Sequence, residues 1–469
     1  MSPRPGGLGG GRADRRLAVA IAVAGPLLLA TGVAAEDIEP KALPDRIEDV
    51  PATRPDPFPA FANFAWRAFV ALAWPARTDP ERRGQPDRSK RLGDPGPRVW
   101  ETFKSRFEVF QRGPDGGAST PARWASYGGA NPCGAAAENR VKTLAAFDAF
   151  ADFNQASFTP GRFEGPLVAQ NRTYTRYEVR FNQAAFDSIV GHEWYRRDHL
   201  PTPEQPGQFD VGSISVKAAW RLLTEADTPA VRGRYYVVHD AEVVDVAGSL
   251  DAGKTVCAKR DIALVGLHIA VKTLYRPQWL WSSFEHVDNV PPIGLKEARE
   301  PDARAASAPY SYNDPGREQA LTPPPPEARA ARPVSWDNPP ERDPDPTQVV
   351  RTHPINGEIM AINQAYWSLP EVRDTVWSHY MLVATQWPTV TQPVGPQNDG
   401  RFFPGLPVEP NTPVEPYQTA GGGEARDNLA NTTMETFAQA PPASCMACHH
   451  VVSNALGRDF GAVMESDAR

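Results

Sequence analysis

The chain has 469 residues, a formal net charge of -7, 41% hydrophobic residues, 50 Pro and only 4 Cys. Its acidic balance argues against nucleic acid or anionic lipid as a preferred partner, because both repel negative charge. Twelve Trp and twenty Phe supply enough bulk for a buried core, and the length suits two to three domains.

Arg12, Arg15 and Arg16 precede an almost wholly apolar run over 17–30. Val33-Ala34-Ala35 and then Glu36-Asp37 follow. A basic segment, an apolar segment and an A-x-A-like site predict a secretory signal peptide, residues 1–35, cut after Ala35. The run is short for a membrane span and Pro26 interrupts it, and no second spanning stretch follows. The mature protein is therefore expected to be soluble, without an integral membrane segment. Removing four Arg and one Asp takes its net charge to -10.

Residues 36–60 read as a Pro-rich leader and residues 61–300 as an α+β domain. Trp66, Phe69, Val70 and Ala73 fall at helical spacing, as do Trp100, Phe103, Phe107 and Phe110. Segments 174–181, 212–220, 234–246 and 261–274 alternate with β-branched and aromatic residues, which predicts strands. Strands without intervening helices point to an antiparallel sheet or sandwich rather than a doubly wound fold. In segment 261–274, Ala263, Val265, Leu267, Ile269 and Val271 are expected on one face and Leu264, Gly266 and His268 on the other. Residues 301–350, with Pro323 to Pro326 and Pro339-Pro340, read as an extended connector or a strap across a domain surface. Residues 351–469 read as mainly helical, with one stripe through Trp377, Tyr380, Met381 and Ala384 and another through Ala430, Thr433, Met434 and Phe437. Pro441-Pro442 is expected to end the second helix.

Cys445-Met446-Ala447-Cys448-His449 is a C-x-x-C-H run, the attachment signature of a c-type haem. Two thiols at this spacing add to the two vinyl groups of one porphyrin, and the adjacent imidazole reaches the iron as proximal ligand. With 4 Cys and 9 His in the chain, chance placement gives roughly 0.0006 such runs, so the run is read as signal. A zinc site would need a second ligand pair at suitable spacing, and the sequence has none. One covalent haem c held by Cys445, Cys448 and His449 is the expectation. It agrees with export, because such attachment occurs in the periplasm.

The two remaining cysteines, Cys133 and Cys257, are candidates for a disulfide in an oxidising compartment, or are two separate buried thiols. The distal iron ligand stays open: Met434 is the nearest upstream candidate, with Met360, Met381 and Met464 further options and core packing as the ordinary role of each. His268 could face the haem, and Trp279, Trp281, Phe284 and His286 could wall it. His192-Glu193 fails as a zinc-protease motif because residue 196 is Arg, and Gly421-Gly422-Gly423 lacks the residues of a P-loop.

Several stretches resemble a family of exported proteobacterial proteins described as cytochrome c family proteins. They are Phe64-Ala65-Trp66 through Trp74-Pro75, Trp100-Glu101-Thr102, Gly266-Leu267-His268 through Lys272-Thr273, Pro277-Gln278-Trp279 through Asn289, Thr385-Gln386-Trp387-Pro388 and Asn431 through Thr436, besides the haem motif. The resemblance implies one haem and a periplasmic location, and supplies no substrate. Three functions then compete: an electron-transfer or redox accessory protein docking a redox partner, a peroxidase- or oxygenase-like haem enzyme with an open distal position, and a haem-based sensor.

Overall fold

A computed structural model describes residues 58–127, 142–144, 153–156, 158–159, 162–163, 165–273, 279–292, 309–316, 334–335, 338–352, 354–387, 430–439 and 457–459, together with Cys133, Arg276, Cys445, His449 and Gly461. The expected signal peptide and most of the leader lie outside these residues, as do Cys448, Met464 and Pro441-Pro442.

An eight-stranded sheet organises the chain. Its strands are β1 (Lys104–Ser105), β2 (Thr143–Leu144), β3 (Arg176–Phe181), β4 (Ile214–Leu222), β5 (Val237–Val244), β6 (Cys257–Val271), β7 (Leu280–His286) and β8 (Tyr380–Gln386). The order is β1-β3-β4-β6-β7-β8, with antiparallel neighbours, and β5 pairs with the first half of β6. The short β2 joins β5 in parallel. The four segments read as alternating in the sequence are thus β3, β4, β5 and β6, and the fold is α+β with a mainly antiparallel sheet.

Helix α1 (Phe58–Ala73) is apolar on nearly every side, and Phe61 through Ala73 is buried almost without interruption. A helix with no polar face must be covered all round. It packs on one face of the sheet beside α3 (Gly357–Trp367), where Trp66 stacks on Tyr366 at 4.9 Å and donates its indole N–H to Asn363 Oδ1 at 2.8 Å. The second face carries α2 (Gln183–Gly191), which buries Ala185, Phe186 and Ile189 against Phe181, Trp279 and Trp281.

Several sequence expectations change. The aromatic spacing from Trp100 to Phe110 is not one helix: Phe103 is extended, and Ser105 with Glu108 forms a capping box that starts a separate turn over Arg106–Val109. The stripe through Trp377 to Ala384 is a short 3₁₀ turn followed by strand β8, paired with β7. Residues 431–437 form turns, not a helix. Because β8 extends the sheet and α3 packs on α1, residues 354–387 share the core of 61–300 and are not a second, helical domain. The described parts of 301–350 are a strap over that core, with Tyr312 and Val349 buried and Thr347 N–H bonded to Val168 O at 3.0 Å.

Strand β6 has a bulge between Leu264 and Gly266. An extra residue resets the alternation. Leu264, Leu267, Ile269 and Val271 therefore face α1, whereas Ala263 and Val265 join the opposite cluster. Cys133 and Cys257 form a disulfide with a Cα separation of 5.5 Å, tying residue 133 to the start of β6.

Candidate functional site

The second face of the sheet receives the described residues 431–434 and Asp459. Past the bulge, Gly266, His268 and Ala270 alternate on this face of β6, with Lys272 just beyond its end, and Trp281, Ser283 and Glu285 alternate on β7. Gly266 has no side chain, and a Cβ there would lie 2.3 Å from Thr433 Oγ1. The turn at 431–434 is thereby admitted directly onto the strand. Asn431 donates to Phe284 O at 2.7 Å, and its Oδ1 accepts from the backbone and hydroxyl of Thr433 at 2.9 and 2.7 Å. Thr432 donates both its N–H and its hydroxyl to Glu285 Oε2, at 2.9 and 2.8 Å. Glu285 is fully buried and also pairs with Arg351, whose guanidinium burial lowers to about 10. Burial alone would raise the Glu435 carboxyl, but His268 at 3.5 Å and the Asn431 N–H hold it below its ordinary value.

A second anchor follows the C-x-x-C-H run. Asp459 is fully buried, pairs with Lys272 Nζ at 2.7 Å, accepts from the Phe209 N–H at 2.8 Å and receives the Trp279 indole N–H at its own carbonyl, 3.1 Å away. Burial pushes the Asp459 carboxyl up and the Lys272 ammonium down, and their mutual attraction offsets part of each shift. Gly457, at φ +76, lets the backbone meet Thr202, where a Cβ would lie 2.2 Å from the carbonyl oxygen. Trp279 itself holds φ +73. For a bulky aromatic residue this is a strained conformation, kept only where surrounding contacts over-determine it.

Cys445 and His449 lie in the chain between these anchors, and both have helical backbone. Cys445 is half-buried and packs against both the main core and the cluster that holds Ala270, Trp279 and Trp281. The His449 ring lies 4.5 Å from the Trp281 ring, tilted by 47°. Of the expected aromatic wall, Trp281 meets the motif. Phe284 turns to the α1 face, and His286 stacks on Tyr235 at 3.8 Å. His268 stands on the motif's face of the sheet, against Glu435. Met434 is buried in a different cluster, with Tyr177, Ala219 and Val265, away from the one that receives Cys445. Met360 belongs to the α1 face. Among the described residues no group of three or more His, Cys, Asp or Glu could hold a metal ion, and no helix is long and apolar enough to cross a membrane.

Sequence reasoning missed Glu285, Lys272 and Asp459. The available signal was a charged residue inside an apolar strand, as at Phe284-Glu285-His286 and Val271-Lys272. Replacing Lys272 by Met should cost about 3–5 kcal/mol, because Asp459 stays buried without its cation. Urea unfolding of the variant checks this, and an unchanged midpoint would refute it.

The chain matches no family model, no curated protein and no solved structure.

Proposed function

We propose that this chain is a periplasmic monohaem c-type cytochrome that transfers electrons or serves as a redox accessory protein. The observation that carries the reading is the C-x-x-C-H run itself, at 445–449. The surroundings suit it. The other two cysteines of the chain are bridged to each other, so they do not compete for the motif thiols. Thiol and imidazole, four residues apart, meet an indole and an apolar cluster, a donor set and a wall that fit a porphyrin edge.

In this reading Cys445 and Cys448 would hold the ring by thioether bonds and the His449 imidazole would ligate its iron. When bound, haem c supplies one-electron chemistry. The chain's own contribution is rigidity. Thr432 on Glu285 before the motif, and Asp459 on Lys272 after it, tie the chain on either side of it to the second face of the sheet. The acidic mature chain suits docking to a basic partner protein.

A peroxidase- or oxygenase-like haem enzyme is the second reading, favoured by one observation: Met434 lies in another cluster than Cys445. Optical spectra of the ferrous protein with carbon monoxide separate the two. Low-spin iron indifferent to carbon monoxide is the expected result. High-spin iron that binds it would overturn the carrier reading in favour of the enzyme.

A further inference from the structure

A second region of the fold holds no part of the haem-motif face. A cleft of about 1040 Å³ opens between the loops that follow α1 and strand β5, with Arg98, Glu101, Phe107, Lys142, Arg180 and Tyr236 among its walls. Its floor is charged and buried. Lys142 Nζ sits between the indoles of Trp100 and Trp220, 4.6 and 4.5 Å from their centroids, and pairs with Glu101 at 2.8 Å and Glu178 at 2.7 Å. Arg180 pairs with the same Glu178 at 2.7 Å. Glu108 is shared by Arg83 at 3.0 Å and Lys104 at 3.4 Å.

Arg98 breaks the balance. It is buried, it lines the cleft, and among the described residues its guanidinium meets no carboxylate. Its terminal nitrogens donate to the carbonyls of Ala73, Leu92 and Asp94, and its Nε has no hydrogen-bond partner. Five buried cations (Arg83, Arg98, Lys104, Lys142 and Arg180) thus stand against three carboxylates (Glu101, Glu108 and Glu178). Buried charge without a counter-charge is costly, and a bound anion offsets it. The excess is two, in a chain whose net charge is -7, so it is local to this cluster and not a property of the surface at large.

We propose that this cleft binds a small organic dicarboxylate. Two negative charges match the excess of two cations. The Arg98 Nε, the guanidinium donor without a partner, is the one left for a carboxylate. Phe107, Tyr127, Tyr236 and Val238 offer apolar surface to a carbon skeleton, and the volume is that of an organic-ligand pocket, far larger than a bare ion needs. The site is independent of the haem reading.

Calorimetric titration of the purified full chain with phthalate and with succinate, and with inorganic phosphate as comparison, tests it. Saturable binding of a dicarboxylate is expected, weakened about tenfold or more in Phe107→Glu, which adds a negative charge at the cleft wall and leaves the ion network intact. Arg98→Met is expected to abolish binding while keeping the far-ultraviolet circular dichroism of the parent, and if that variant does not fold, Phe107→Glu alone decides. No saturable heat from either dicarboxylate up to about 10 mM, above the millimolar edge of specific affinity, overturns the proposal. So does equal affinity in Phe107→Glu, or tighter binding of inorganic phosphate than of either dicarboxylate.

Discussion

Replacing Gly266 by Val is expected to detach the C-terminal segment from the sheet. The new Cβ would lie 2.3 Å from Thr433 Oγ1 and 3.3 Å from both Asn431 Oδ1 and Met434 Cε. Thr433 cannot swing aside cheaply, because its hydroxyl is held by Asn431, and Asn431 is held by the Phe284 carbonyl. The turn must lift as a unit. Overpacking of this kind costs about 1–3 kcal/mol. Lifting also takes the Thr432 donors from the fully buried Glu285, at about 1–3 kcal/mol for the group left unsatisfied. Urea unfolding should show the combined loss, and limited proteolysis should cut within the last forty or so residues of Gly266→Val while the sheet core survives. Gly266→Ala carries the same first clash with a smaller side chain and should lie between. A valine variant with parental midpoint and protection would show that the turn does not rest on Gly266.

The second large effect is acid sensitivity. His286 is fully buried, its Nε2 facing the Arg234 carbonyl at 3.1 Å and its Nδ1 accepting from the Asp288 N–H at 3.1 Å. The ring is therefore neutral, with the proton on Nε2. Burial, then the charges of Arg234 and Arg221, lower its pKa to about 3. His379, with its ring 6.1 Å away, is also lowered to about 3 by burial and by His286 itself. Both groups are bases depressed from 6.5, so the unfolded chain binds protons that the folded chain refuses. Their contribution is complete above about pH 6.5 and falls as the pH drops toward 3, by as much as about 2.7 kcal/mol per unit for two protons. Between pH 7 and 5 the loss should be about 4 kcal/mol. Glu178, held at about 2 against its burial by Arg180 and Lys142, adds a further loss only below about pH 4.5. His379→Gln removes one of the two protons and should halve the slope between pH 6 and 4. Equal stability at pH 7 and 5 would refute the assignment.

Much of the scaffold is legible in the sequence, for reasons that are local. Helix α1 is dense in Ala and aromatic residues, and strands β3 to β6 each run six or more residues with β-branched or aromatic side chains. Strand β8 is not legible, because Tyr380, Met381 and Ala384 satisfy a helical period as readily as Tyr380, Leu382 and Ala384 satisfy a strand period. Its partner β7 lies nearly a hundred residues earlier, and pairing decides the matter. The faces of β6 are misassigned by strict alternation because a bulge costs one residue at a position that no local pattern marks. In the candidate site, the haem motif is visible as a spacing of residue types. The anchors on either side of it are not: a buried Glu285 or Asp459 is tolerable only because Thr432, Arg351 and Lys272 arrive from distant parts of the chain.

In the proposed reading Cys445, Cys448 and His449 carry a covalent haem in an exported protein. The intact mass of the chain purified from a host with c-type haem attachment tests it most directly. A polypeptide beginning at Glu36 that carries the mass of one haem, retained under denaturing conditions and lost when Cys445→Ala and Cys448→Ala are combined, is the expected result. A mature chain with the mass of its polypeptide alone, or one that keeps covalent haem after Cys445→Ala and Cys448→Ala together, would contradict it.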